Sequence, residues 1–248
     1  MQEPSISLLL FTLTFLAAGL VKGVTGMGLP TVAMGLLGTA MPPSVAAAML
    51  VMPSFVTNVW QLLAGPARGR LLKRLWPMML GIVLGTVAGA ALLVQAEPAW
   101  ARLALGVSLI AYAAYALVSP HLAVAPRREP WLSPLVGGIT GLVTGATGVF
   151  VIPAVPYLQA LRLEKDELVQ ALGLSFTVST VALAAGLMAH GAFRLDQWGL
   201  SVLAIVPALA GMWAGQKVRT RISPQRFRQC FLLFLVLLGL ELVWQSLR

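Results

Sequence analysis

The stretch Gly19-Leu20-Val21-Lys22-Gly23-Val24-Thr25-Gly26 returns 122 residues later as Gly141-Leu142-Val143-Thr144-Gly145-Ala146-Thr147-Gly148. The copies differ only where Thr144 replaces Lys22 and Ala146 replaces Val24. Each closes an apolar run. Matching glycine-rich interruptions in two apolar halves are the sequence mark of a membrane carrier built from an internal repeat, with its site at the interrupted helices.

The rest of the chain agrees. Of its 248 residues, 58% are hydrophobic and only 10% charged, with a mean hydropathy of +0.88. Soluble domains carry about 25% charge. Runs of bilayer-spanning length follow one another closely, and each span must satisfy its own backbone, so an all-α polytopic protein is expected. Strict alternation is absent, which argues against a barrel. The net charge of +9 sits in short loops between apolar runs, where it reads as a topology signal and lipid-headgroup contact; nucleic acid is disfavoured as a partner. Cys230 is the sole cysteine, so no intrachain disulfide and no cysteine-based metal site forms. The first run lacks a basic leader, since Gln2 and Glu3 precede it, and is read as a retained helix rather than a signal peptide.

Eight long transmembrane helices are predicted, at about 5–22, 43–64, 75–95, 99–118, 133–148, 167–190, 197–216 and 227–246. Two short half-helices, 28–41 and 149–161, follow the glycine motifs and are too short for a comfortable span. The chain divides into an N-terminal repeat (1–120), a linker (121–132) and a C-terminal repeat (133–248). Further matches support the repeat: Ser54-Phe55 with Ser175-Phe176, and Gly85-x-x-x-Gly89 with Gly211-x-x-x-Gly215. Such glycine pairs let helices approach closely, either inside the monomer or in a homodimer. Loop 65–74 is strongly basic and its counterpart 191–196 is not, whereas 96–102 is weakly charged and its counterpart 217–228 is basic. The basic loop has changed places, so the repeats are inverted, with five crossings each and both termini outside. A simpler count of eight equal spans puts the two most basic loops on opposite faces.

Enzyme signatures are thin. His121 falls in a loop and His190 at a helix end; no zinc-protease, nucleophile-elbow or nucleotide-binding motif occurs, and no nucleophile–base pair sits in a span. An intramembrane enzyme is therefore disfavoured, and no cofactor is expected. Acidic residues avoid the spans apart from Glu241 in the last helix, which disfavours a cationic substrate.

Lys22 is the basic residue inside the first motif, read either as a substrate-attracting charge or as a snorkelling side chain. Gly23, Gly26 and Gly28 are expected to free the backbone, with a new helix beginning near Leu29-Pro30. Its N–H groups and positive dipole end favour an anion, and Thr25 adds a hydroxyl donor. Thr144, Gly145, Thr147 and Gly148 repeat the arrangement without the lysine. Ser54, Asn58 and Gln61 share one helical face. Asn58 and Gln61 are read as lining the path, with Trp60 beside them, whereas the serines and threonines of 54–57 and 175–180 are read as packing groups bonded between helices. The other tryptophans read as interfacial anchors.

The segments GLVKGVTGMGLPTVAMGLL, PSFVTNVWQLL and GLVTGATGVFVIPAVPYLQALRLEKDELVQAL resemble the TauE/SafE family of sulfite and organosulfur-anion exporters, and the resemblance covers essentially the whole chain. It implies a secondary carrier of the bacterial inner membrane for sulfite, sulfoacetate or similar sulfonates. It also implies binding positions at Lys22, Gly23, Thr25, Gly26, Gly28, Asn58, Trp60, Gln61, Gly145, Thr147 and Gly148. The chain departs from the pattern at Val149 and Phe150, where many members have glycines. The competing expectation is an uptake carrier or channel for another small anion such as a carboxylate.

Overall fold

The computed structural model describes residues 8–118, 123–192, 195–219 and 221–248. His121 and Arg194 lie outside them. Among the described residues all regular structure is helical: α1 (Leu8–Thr25), α2 (Leu29–Ala40), α3 (Pro43–Leu63), α4 (Arg68–Gln95), α5 (Pro98–Val118), α6 (Glu129–Thr147), α7 (Ala154–Ala160), α8 (Lys165–Ala189), α9 (Leu195–Leu203), α10 (Ile205–Arg219) and α11 (Pro224–Ser246).

Among the described residues seven helices, counting the stretch from Trp198 to Arg219 as one, are long and apolar enough to cross a membrane. The eighth expected span, α6, is 19 residues long but diluted by four glycines and two prolines. Several boundaries differ from expectation. Helices α4 and α6 begin earlier, at Arg68 and Glu129, because their charged first turns are held by ion pairs: Arg70 with Glu167, and Arg74 with Glu129 at 2.6 Å. The expected helix 197–216 is broken at Ala204. Pro207 lacks an N–H, and its ring opposes the carbonyl of Leu203, where α9 stops.

Glycines set the tightest packing. In α6, a Cβ at Gly137, Gly141 or Gly145 would lie 2.1 to 2.3 Å from carbonyl oxygens of Met78, Ile82 and Thr86 on α4. Conversely, a Cβ at Gly85 or Gly89 would strike the carbonyls of Gly138 and Leu142. Helices α1 and α10 pack the same way. A Cβ at Gly19 or Gly23 would meet the Ala208 and Met212 carbonyls at 2.2 Å, and one at Gly211 or Gly215 those of Leu16 and Leu20. Gly85-x-x-x-Gly89 and Gly211-x-x-x-Gly215 are thus spent inside the monomer, each against a glycine motif from the other half of the sequence. The halves interlock rather than stand as separate bodies.

Helix ends gather on one face of the bundle. Gln170 at the start of α8 holds the α3–α4 turn, the Val124 N–H reaches the Ala160 carbonyl at 3.0 Å, and Arg228 of α11 donates to the Ala116 carbonyl at 2.9 Å. Together with the two ion pairs, these contacts bring the ends near 65–74, 116–129, 160–170 and 217–228 together. Every lysine and arginine of the chain except Lys22, Arg102, Arg194 and Arg248 falls in these segments.

Candidate functional site

Both motifs end a helix in the same way. At the first, Gly26 takes the left-handed conformation (φ +79°) and its N–H donates to the Lys22 carbonyl at 2.8 Å. At the second, Gly148 (φ +71°) donates to the Thr144 carbonyl at 2.7 Å. Glycine adopts this conformation without the Cβ penalty, which makes it the usual helix terminator. The Thr25 hydroxyl donates to the Val21 carbonyl at 2.9 Å and accepts from the Met27 N–H at 3.2 Å. The Thr147 hydroxyl donates to the Val143 carbonyl at 2.7 Å and accepts from the Val149 N–H at 3.2 Å.

Two expectations are corrected by this geometry. Gly23 and Gly145 lie inside helices and serve close packing, so they do not bare backbone N–H groups. The threonine hydroxyls are engaged by their own turns, because a donor four residues after a helical carbonyl finds it within reach.

Beside the first break sits a buried lysine. Lys22, in the last turn of α1, is 2% exposed, and its ammonium donates to the Asn58 Oδ1 on α3. Asn58 in turn donates to the Thr180 hydroxyl of α8 at 3.3 Å, and Thr180 to the Phe176 carbonyl at 2.7 Å. Among the described residues Lys22 has no acidic partner. The negative end of α1 stabilises the ammonium only in part, by about 0.3–1 kcal/mol. Its burial excludes snorkelling to the headgroups, and an ammonium held there without a counter-ion would be costly. The polar chain ends at an apolar cleft of about 270 Å³ between α3, α8 and α9, lined by Val51, Phe55, Thr180, Val181 and Trp198 among others.

Gln61 braces the break. Its amide donates to the Gly26 carbonyl at 3.0 Å and to the Val169 carbonyl on α8 at 2.8 Å. A Cβ placed on Gly26 would meet nothing within 4 Å, so space remains next to the turn. Gly28 (φ +102°) starts α2 with no side-chain cap, and Pro30 occupies the first turn. In that turn the Thr31 hydroxyl is fully buried and has no hydrogen-bond partner among the described residues.

The structure brings Lys22, Asn58, Gln61 and the Gly26–Gly28 turn together, but not Trp60, which is 63% exposed on the outer face of α3. The shared face of Ser54, Asn58 and Gln61 points inward, and Trp60 points away. The second break offers no matching half-site. Thr144 donates to the Val149 carbonyl at 3.2 Å, residues 149–153 are not helical, and α7 begins only at Ala154. Phe150, which stands 122 residues after Gly28, is fully buried against Phe176.

Other groups were under-read from sequence. Ser54, Ser175 and Ser179 were expected to bond between helices, yet their hydroxyls are buried without a partner among the described residues. Their signal was available, since Ser175 repeats Ser54 and Ser179 repeats Asn58 at an offset of 121. Gln170 is structural: its side chain donates to the Leu62 and Gly65 carbonyls at 2.7 and 2.6 Å and accepts from the Ala67 N–H at 2.9 Å.

A bundle of bilayer-length helices, broken at glycine turns beside a buried lysine, defines a polytopic membrane protein of the broken-helix kind. The family model for the sulfite exporter TauE/SafE matches residues 11–242, and the chain belongs to that family of membrane transporters. No curated protein and no solved structure matches it.

Proposed function

We propose that the protein is a secondary carrier that exports small sulfur-containing oxyanions, sulfite or sulfonates such as sulfoacetate, across the bacterial inner membrane. The observation that carries this reading is Lys22, a buried amine held by neutral Asn58 with no carboxylate beside it among the described residues. When this amine carries its proton, an anion beside it supplies the missing counter-charge. The Gly26–Gly28 turn with its adjoining space and the uncapped start of α2 offer neutral donors next to it, and Thr31 in the first turn of α2 and Ser54 one turn before Asn58 carry hydroxyls with no partner among the described residues. An oxyanion with three equivalent oxygens accepts several such bonds at once. Binding draws the Lys22 ammonium from Asn58 to the substrate, which frees Asn58 and loosens its link through Thr180 to α8. Relative motion of the interlocked halves then changes access.

The two halves form an inverted repeat in this reading. It is supported by the reciprocal packing of α1 on α10 and α6 on α4, and by the identical turn at each break. The basic face is cytoplasmic by the positive-inside rule, which leaves both termini outside.

Thermal-shift titration of purified protein with sulfite, sulfoacetate, sulfate and acetate tests the site, with Lys22→Ala and Asn58→Ala as controls. Selective stabilisation by sulfite or sulfoacetate, lost in Lys22→Ala, is expected; at 100 times Kd it amounts to about 2.7 kcal/mol. Equal shifts in wild type and Lys22→Ala would remove Lys22 from the site. A shift with acetate alone would move the substrate to carboxylates.

A further inference from the structure

On the outer face of the interlocked α4–α6 pair runs a groove of about 920 Å³. Its walls include Trp76, Leu80 and Leu84 of α4, all more than half exposed, and its floor includes Gly81, Gly85 and Gly138. Gly138 stands apart from its neighbours. Gly137, Gly141 and Gly145 are required by the approach of α4, but a Cβ on Gly138 would meet nothing within 4 Å. Packing therefore does not explain this glycine. What its missing side chain does is keep the groove open along the membrane-facing surface.

The groove has a chemically distinct end. Arg74, Pro126, Glu129 and Pro130 line it at the face where the basic segments gather. Glu129 is satisfied by Arg74 through two bonds of 2.6 and 2.8 Å. Lys73 beside Arg74, and Arg127 and Arg128 beside Pro126, are exposed and have no acidic partner among the described residues. The charged lining is thus a neutral pair, and the positive charge is carried by exposed neighbours of the lining residues at that end, while the remainder is mostly apolar.

We propose that this groove binds one anionic phospholipid, with an acyl chain laid over Gly138 and the phosphate at the Lys73, Arg127 and Arg128 mouth. The amphiphile matches the groove in both respects: a long apolar bed and a cationic end at headgroup depth. A second copy of this chain fits less well, because its corresponding face carries the same positive charge. The lipid spans α4 and α6, one helix from each half of the sequence, and so bears on the pair that locks the halves together.

Native mass spectrometry of the full-length protein, titrated with phosphatidylglycerol or phosphatidylcholine, tests this. Wild type retains one phosphatidylglycerol in preference to phosphatidylcholine. Gly138→Leu, whose Cβ would meet no atom within 4 Å, loses that lipid while keeping its helix content and monodispersity. Lys73→Gln, Arg127→Gln and Arg128→Gln together keep some lipid but lose the preference, by about fivefold per cation removed. Unchanged phosphatidylglycerol retention in Gly138→Leu would overturn the proposal. So would a dimer in wild type that Gly138→Leu dissolves, which would give the groove to a second copy.

Discussion

Gly137 and Gly138 are neighbours on α6, and the structure gives their alanine substitutions opposite signs. A Cβ on Gly137 would lie 2.1 Å from the Met78 carbonyl oxygen, 2.9 Å from its carbon and 3.0 Å from its Cα. All three atoms are backbone and cannot swing aside. Ordinary contact needs about 1.3 Å more, so α4 and α6 must separate at that level, and the adjoining glycine contacts loosen with them. Overpacking of this kind costs about 1–3 kcal/mol. Helix propensity returns at most about 1 kcal/mol of it. Gly138→Ala meets no atom within 4 Å, so only the propensity gain remains, about 0.5–1 kcal/mol in favour of the variant. Thermal unfolding of the two purified variants in one detergent measures the difference directly. Gly137→Ala is expected to melt below wild type and Gly138→Ala at or above it. Equal behaviour of the two, or a neutral Gly137→Ala, would refute the α4–α6 register on which the fold description rests.

Gln170→Leu removes two donors and an acceptor that close the α3–α4 turn, and leaves the Ala67 N–H and the Leu62 and Gly65 carbonyls unpaired. A loss of about 1–3 kcal/mol in unfolding free energy is expected, with transport per folded molecule retained. Trp60→Ala alters only the exposed face of α3, so substrate affinity should equal that of wild type; a large loss would return Trp60 to the site. In a Cys230→Ser background, single cysteines near Ala64 and Arg221 should resist an impermeant maleimide added outside intact cells, whereas cysteines near Glu97 and Gly191 should react. Uniform reactivity would contradict the inverted topology.

The fold was largely legible because its signals are periodic and compositional. Apolar runs marked the long helices, and the duplicated glycine motif marked both breaks. The Pro207 break was missed because sequence alone does not say which proline a membrane helix tolerates. Roles were harder to read than positions. Gly23 and Gly145 looked like freed backbone, but a glycine's meaning depends on what approaches it, and α10 and α4 come from the other half of the chain. Thr25 and Thr147 looked like substrate donors, although a threonine at a helix end has a carbonyl four residues back to satisfy. Asn58 was legible from its face, shared with Ser54 and Gln61. Trp60 was drawn into the site by adjacency in sequence, which on a helix means roughly a quarter-turn or more of rotation. The pairing of Lys22 with Asn58 across 36 residues could only come from the folded chain.

The central claim is that Lys22 supplies the charge for an exported sulfur oxyanion. The most direct measurement is efflux of sulfur-35-labelled sulfite from proteoliposomes holding wild type or Lys22→Gln, matched for inserted protein and thermal stability. The account predicts sulfite efflux by wild type and a fall to the protein-free leak in Lys22→Gln. Efflux by a stably inserted Lys22→Gln at the wild-type rate would contradict it.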